Sequence, residues 1–444
     1  MTAPDRTADR RLTAAVRRGL ARYQSLLALV GLLLGSSPYL IAVYSALADT
    51  LADPERAAAF TSADSSHYLE MAEAFRSGQF LDKYVTVRPH RQPLYPALLA
   101  AAMALGADDL MELATVNVIV GLVTIICLYG AGRWLFGSWW VGLAGALAYA
   151  SSDFILRNIS SRILTEPVFA FAALLVVLFA LQYMQRNRAA YLCLAAAAAG
   201  LAYLTRPNGL FLMAAMWATL LAHDLLQRYL TVSSGAGGAK AAFRSRALDG
   251  RNLIGRFGAA ALIFAIVATP SWVPRALHYG DPAYHGYLSN YLWVDTYQEG
   301  HVSEPKYGPR DYFRTHDFRD VVIRVGAGLE HVYWTVPIKL GWVLYYLALI
   351  GMVGALVSLR PSYLFLILFM LIQSMPLIWT AISNPNLRVH YGGIFPFLLV
   401  FVMILVDRCS LALRRSPSLF RDWLQTAPRP WSAGEWTEQP PRQD

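Results

Sequence analysis

From Ala63 to Gly78 the chain carries an acid-led stretch with helical spacing, in which Asp64 is followed by Tyr68, Met71, Ala72 and Phe75, just after the first long apolar run. A carboxylate at a membrane surface is a candidate general base. The stretch from Val87 to Pro96 then adds Arg88, His90 and Arg91 before the next apolar run begins. An acid facing a cationic cluster suits transfer from a phosphate-linked donor. The base takes the acceptor's proton, and the cations hold the departing phosphate, for which the planar guanidinium fork is well shaped. Arg206 and Arg388, at the edges of later apolar runs, extend the cationic set, and Glu166 opens another run in the sequence Thr-Glu-Pro.

The elements that must position these residues are membrane helices. Of the 444 residues 56% are hydrophobic and 15% charged, with a mean hydropathy of +0.39, far from the composition of a soluble domain. Windows of about 19 residues predict roughly ten spans, near 26–46, 113–132, 139–155, 164–184, 189–204, 209–226, 256–274, 336–357, 362–381 and 391–407. The net charge of +9 does not indicate nucleic acid, because the basic residues gather in short segments between apolar runs. Read by the positive-inside rule, the arginines before residue 23, Arg133, Arg186, the 228–256 segment, Arg360 and the tail from Arg408 are cytoplasmic, so both termini lie inside. Two long loops, about 48–112 and 275–335, then lie outside with the chemistry. The first run is longer than a signal-peptide core and is expected to stay as an anchor.

The expected organisation is a basic N-terminus over 1–25, a membrane domain over 26–408 and a polar, partly disordered tail over 409–444. Cys127, Cys193 and Cys409 show no metal-like spacing, and no phosphate-binding glycine loop is present. A divalent metal is therefore not indicated, and no cofactor is expected. The second long loop alternates aromatic and charged residues (Tyr291, Trp293, Tyr297, Tyr307, Arg310, Tyr312) and contains Gly280, Gly286, Gly300 and Gly308, which suits a sugar-contacting lid or an aromatic belt on headgroups.

Each candidate has a second reading. Asp64 and Glu166 suit the first turn of a helix, where an acid favours the dipole. Arg206 and Arg388 suit interfacial anchors, although arginine on the outer side runs against the usual charge bias. His90 and His390 suit hydrogen-bonding interfacial side chains as well as catalysis.

The succession of Asp64, Arg88 to Pro96, Ser161 to Glu166, Leu204 to Pro207, and Arg388, His390 and Tyr391 with Pro396 resembles the GT-C superfamily, and within it the glycosyltransferase family 39 group of protein O-mannosyltransferases and lipid A aminoarabinose transferases. The resemblance covers about residues 25–408. It implies an all-α polytopic bundle with two long external loops carrying short interfacial helices. It also implies a polyprenyl-phosphate-sugar donor and an early external acid as general base, the position of Asp64. Donor phosphate would fall to Arg88, Arg91, Arg206 and Arg388, with Tyr68, Glu166, His90, His390 and Tyr391 in support. Protein mannosyltransferases usually carry Asp-Glu where this chain has Asp64-Ser65. Aminoarabinose transferases place Glu-Lys where it has Arg91-Gln92. The acceptor, whether lipid, glycan or protein, is therefore open.

The expected activity is inverting sugar transfer at the outer face of the cytoplasmic membrane. A secondary transporter or lipid-linked sugar flippase would place ionisable residues near the midplane in related halves, and no half-repeat is evident. A polymerase or ligase using lipid-linked polysaccharide is chemically close, differing in whether one sugar or a chain moves. Expected partners are the donor, the acceptor and membrane lipids, with no nucleic acid.

Overall fold

The structure, a computed structural model, describes most of residues 26–415, apart from scattered positions before Ala63 and the segments 87–89, 153–154, 156–161, 234–249, 302–306 and residue 386. The described residues form helices and contain no strand. In order they are α1 (Ala63–Arg76), α2 (Phe80–Thr86), α3 (Leu94–Ala104), α4 (Leu110–Phe136), α5 (Trp139–Ala150), α6 (Glu166–Arg186), α7 (Ala189–Thr205), α8 (Gly209–Ser233) and α9 (Gly250–Tyr279). A 3-10 turn at Gly286–Leu292 and one helical turn at Tyr297–Gly300 lead to α10 (Pro309–Thr315), α11 (Phe318–Glu330), α12 (Val336–Val357), α13 (Pro361–Thr380) and α14 (Leu387–Arg415).

Each expected span from 113–132 onward coincides with a helix. The first, 26–46, falls where only some residues are described, and those are helical. By length and composition α4, α6, α13 and the apolar parts of α8, α9 and α14 are each able to cross a membrane, six among the described residues. A seventh arises if Phe318–Lys339 and Gly341–Val357, bent by 120° at the break, count as one span. Gly341 sits at the break with φ 135°, a conformation that a Cβ disfavours. The 12 residues of α5 and 17 of α7 are shorter, reaching about 18 and 26 Å at 1.5 Å per residue, below the ~30 Å hydrocarbon core. The chain is a multi-pass membrane protein.

The bundle is organised around α6, 83% of whose apolar window is buried, with α4, α7, α8, α13 and α14 against it. In a membrane, helices associate through close packing of small residues rather than a hydrophobic drive. Gly132 of α4 faces Gly142 of α5 so closely that a Cβ at Gly132 would stand 2.0 Å from the Gly142 nitrogen. The expected cytoplasmic ends, residues 1–25 and the tail beyond 415, lie outside the described residues, as does the 234–249 linker.

Candidate functional site

Helix α1 presents Ser65, Tyr68 and Ala72 on one buried face, at the i, i+3, i+7 spacing of a single stripe. Tyr68 and Ala72 pack with Tyr95 and Leu99 of α3, Leu113 and Ala114 of α4, and Ile163. The Tyr68 and Tyr95 rings meet edge to face at 5.3 Å. Ser65 Oγ donates to the Ile163 carbonyl at 3.1 Å, and Asn117 of α4 donates to the Arg162 and Leu164 carbonyls at 2.6 and 2.9 Å. The turn entering α6 is thus pinned to α1 and α4 before any functional group is placed.

On the neighbouring face of α1 the carboxylate of Asp64 is joined by Arg91, which pairs with it through Nη2. Arg91 also donates through Nη1 to the Tyr68 hydroxyl at 3.2 Å, lies 3.2 Å from His67 Nδ1 and covers the Tyr68 ring at 5.1 Å. Asp64, His67 and Tyr68 stand at i, i+3 and i+4, so one helical face serves one guanidinium. Asp64 thus meets one member of the cationic cluster that follows it in sequence, Arg91.

A second acid–guanidinium pair stands nearby. Glu166, in the first turn of α6, meets Arg206, which follows α7, at 2.9 Å, and Arg206 also reaches Thr165 Oγ1 at 3.4 Å. Burial works against the charge on Arg206, but Glu166, with Tyr68 and then Asp64 further off, raises its pKa above the usual arginine value. Glu166 is thus the direct partner of Arg206, as Asp64 is of Arg91.

Arg206 also borders a cleft of about 340 Å³ between the start of α8, the second long loop and the end of α13, with Phe211, Leu292 and Leu377 among its apolar walls and Asn208, Ser289 and Asn384 supplying polar groups. The other guanidinium, Arg91, is held from behind. Arg275 of α9, wholly buried, donates to the Arg91 carbonyl at 3.2 Å, to Ser271 Oγ at 2.9 Å and to the Tyr203 hydroxyl at 3.4 Å. Ser271 in turn donates to Gln92 Oε1 at 2.9 Å. Tyr203 lies 3.4 Å from His285 of the second loop, whose pKa burial and the Arg275 charge push down to about 3, so this histidine is neutral at physiological pH. One buried arginine thus ties the Arg91 turn, the end of α7 and the second loop together.

The second loop is also ordered about an arginine. Arg324 of α11 lies against the rings of both Tyr312 (4.9 Å) and Trp379 (4.6 Å), donates to the Trp379 carbonyl at 2.8 Å and pairs with Asp295 at 3.0 Å. His316 meets the other Asp295 oxygen at 2.6 Å and stacks on Tyr312. Burial opposes protonation of His316, but the Tyr312 carbonyl and Asp295 outweigh it and raise its pKa. Of the aromatic residues expected to contact sugar, Tyr291 and Tyr312 are buried in this arrangement, whereas Tyr297 and Tyr307 are exposed.

The structure brings together Asp64, Tyr68, Arg91, Glu166 and Arg206. His90 is buried beside His67, their rings meeting edge to face at 6.3 Å. Arg88 lies outside the described residues; Arg388, His390 and Tyr391 fall at the start of α14, and their side chains are outside them too. Sequence reasoning missed His67, Arg275 and Arg324. His67 was legible from its i+3 spacing to Asp64, and Arg275 from lying at the end of an apolar run on the outer side. Among the described residues no three His, Cys, Asp or Glu side chains come together as a metal site.

The profile of the family described as dolichyl-phosphate-mannose-protein mannosyltransferase matches residues 88–243, which include Arg91, Glu166 and Arg206. The fold is similar to that of the archaeal oligosaccharyltransferase AglB from Archaeoglobus fulgidus, solved with an inhibitory peptide and a dolichol-phosphate (12% identity over 92% of this chain, TM-score 0.50). The likeness is one of fold, over nearly the whole of this chain. A further match is ArnT from Cupriavidus metallidurans bound to undecaprenyl phosphate (16% identity over 93% of this chain, TM-score 0.48). This chain spans about half the length of the AglB chain (53%) and just under two thirds of the ArnT chain (66%). No curated protein matches its sequence.

Proposed function

We propose that the chain is an inverting glycosyltransferase that moves a sugar from a polyprenyl-phosphate donor to an acceptor at the outer face of the cytoplasmic membrane, with Asp64 as general base. The observation that carries this reading is the two acid–guanidinium contacts, Asp64 with Arg91 and Glu166 with Arg206, the second at the edge of a largely apolar cleft. Such a cleft suits an isoprenoid phosphate, whose tail needs apolar walls and whose head needs arginine. The dolichol-phosphate bound to AglB is consistent with that donor class.

In this reading Arg91 has two possible partners. Without donor it pairs with Asp64; a donor phosphate competes for the guanidinium and frees the carboxylate to face the acceptor. The acceptor O–H or N–H then loses its proton to Asp64 as its lone pair attacks the anomeric carbon. The bond from that carbon to the phosphate oxygen breaks, its electron pair stays on the phosphate, and configuration inverts. Arg206, fixed by Glu166, offers a second cation to the leaving phosphate.

The deciding experiment uses purified full-length protein in nanodiscs with a radiolabelled polyprenyl-phosphate sugar and a panel of lipid, glycan and peptide acceptors. Asp64→Asn should retain donor binding and lose transfer. Transfer near the wild-type rate would remove Asp64 from the base position. Movement of donor across the bilayer without any transfer would favour a flippase.

A further inference from the structure

The second polar cluster lies at the opposite end of α13. Tyr363 and Thr380, the latter a wall of the Arg206 cleft, are separated by about 25 Å along the helix, most of a bilayer. Tyr363 is buried, and two guanidiniums lie over its ring, that of Arg408 from α14 at 5.2 Å and that of Arg360 from the cap of α13 at 5.6 Å. Arg360 is exposed; Arg408 is a quarter exposed and leans against α12, where a Cβ at Gly354 would touch its stem at 3.8 Å.

Three polar atoms at this spot are buried with no hydrogen-bond partner among the described residues: Arg408 Nε, Arg408 Nη2 and the Tyr363 hydroxyl. The nearby carboxylate of Asp407 stands 4.0 Å from Arg408 Nε, too far for a hydrogen bond. Buried donors without partners are rare in proteins and cost free energy, so a cluster of them beside a guanidinium marks a place for an acceptor. Two guanidiniums against one carboxylate leave an excess of one positive charge. That excess matches a phosphodiester and disfavours a headgroup that brings its own cation. The flank of the cluster is apolar and exposed, with Val353, Leu356, Val357 and Leu359 between 44% and 77% accessible, a surface for acyl chains.

We propose that Arg360, Arg408 and Tyr363 form a binding site for the phosphate of an anionic phospholipid on the membrane face opposite Asp64. Basic crevices between helices on the cytoplasmic side are a general form of such recognition, and that is the side on which the charge pattern places Arg360 and Arg408. The site is independent of the transfer chemistry, so its test stands whatever the acceptor is.

The test titrates the full chain in detergent with phosphatidylglycerol, phosphatidylcholine of the same chain length, or inorganic phosphate, reading the thermal midpoint and the lipid retained in native mass spectra. Phosphatidylglycerol should give a saturable rise and a retained one-to-one complex, and neither of the other two should. In Arg360→Gln/Arg408→Gln the apparent affinity for phosphatidylglycerol should fall by about tenfold or more, the size expected when charge-assisted hydrogen bonds are lost. If that variant does not fold, Arg360→Gln alone, at an exposed position, and Tyr363→Phe, which removes only the hydroxyl, should each weaken binding a few-fold. An equal response to phosphatidylcholine, or wild-type titration in the variants, would overturn the site. A response to inorganic phosphate alone would overturn its assignment to lipid.

Discussion

The two acid–arginine pairs of the candidate site look alike in sequence terms, each setting a carboxylate in the first turn of a helix against a guanidinium from a turn, yet their surroundings differ. The side chain of Asp64 is 34% exposed and that of Glu166 5%. The two arginines are about equally covered, at 16% and 19%, so the contrast lies in the acids: removing a partner from a buried carboxylate costs about 3–5 kcal/mol, and the cost falls toward the 0–1 kcal/mol of a surface pair as water reaches the carboxylate. Glu166 and Arg206 therefore hold the architecture together. Asp64, more open to water, contributes less to it, which suits the exchange of partners that the proposed base and phosphate ligand require.

The sharpest way to break this contrast is to neutralise each acid in turn. Asp64→Asn should lower transfer by about 10²–10⁴-fold while the thermal midpoint barely moves, since a positioned base contributes on that scale and an exposed pair does not stabilise. Glu166→Gln should do the reverse, destabilising by about 3–5 kcal/mol in denaturation before any effect on the chemical step is separable. If the two variants behave alike in both assays, the distinction drawn from burial is wrong.

Arg91 sharpens the comparison at a smaller scale. Arg91→Ala should weaken donor binding by about tenfold, the loss of one charge-assisted contact, and Arg91→Lys should recover only part of it because an ammonium lacks the fork. Donor affinity by equilibrium binding decides, and an unchanged value would make Arg91 an anchor for Asp64 alone. A subtler effect is expected for Ser65→Ala, which removes the bond to the Ile163 carbonyl linking the two regions and should cost about 1 kcal/mol, read as a lower unfolding midpoint.

The smallest effect is one of pH, in the second loop. His316 has a raised pKa beside Asp295, so its contribution is fully present below the ordinary histidine range and is lost as pH rises through the raised value. Amide exchange across 309–324 should accelerate over that rise, and Asp295→Asn should flatten the profile. Exchange that slows with rising pH after correction for the intrinsic rate would reverse the sign.

Much of this was legible in order along the chain. Apolar runs gave the helices from α4 onward because a bilayer demands long, uniformly apolar segments whose backbone bonds are internal. Asp64, Arg91, Glu166 and Arg206 were legible as candidates because charged side chains beside such runs are costly without a purpose. His67 was overlooked although its spacing from Asp64 offered a local signal, whereas Arg324 lay amid many similar charges in a long loop.

The sequence by itself determined a multi-pass helical membrane protein and the types of residue available to its site, because hydropathy and side-chain chemistry are local properties. Only the tertiary structure decided that Asp64 meets Arg91 and Glu166 meets Arg206, that Arg275 grips the Arg91 backbone, and that two guanidiniums converge on Tyr363. Those pairings join residues 27, 40 and 184 positions apart within the chain, as well as α13 to α14 at Tyr363 and Arg408. Helix packing sets them, and burial, which emerges only once the helices pack, decides which charged pair is a fixture and which is free to exchange.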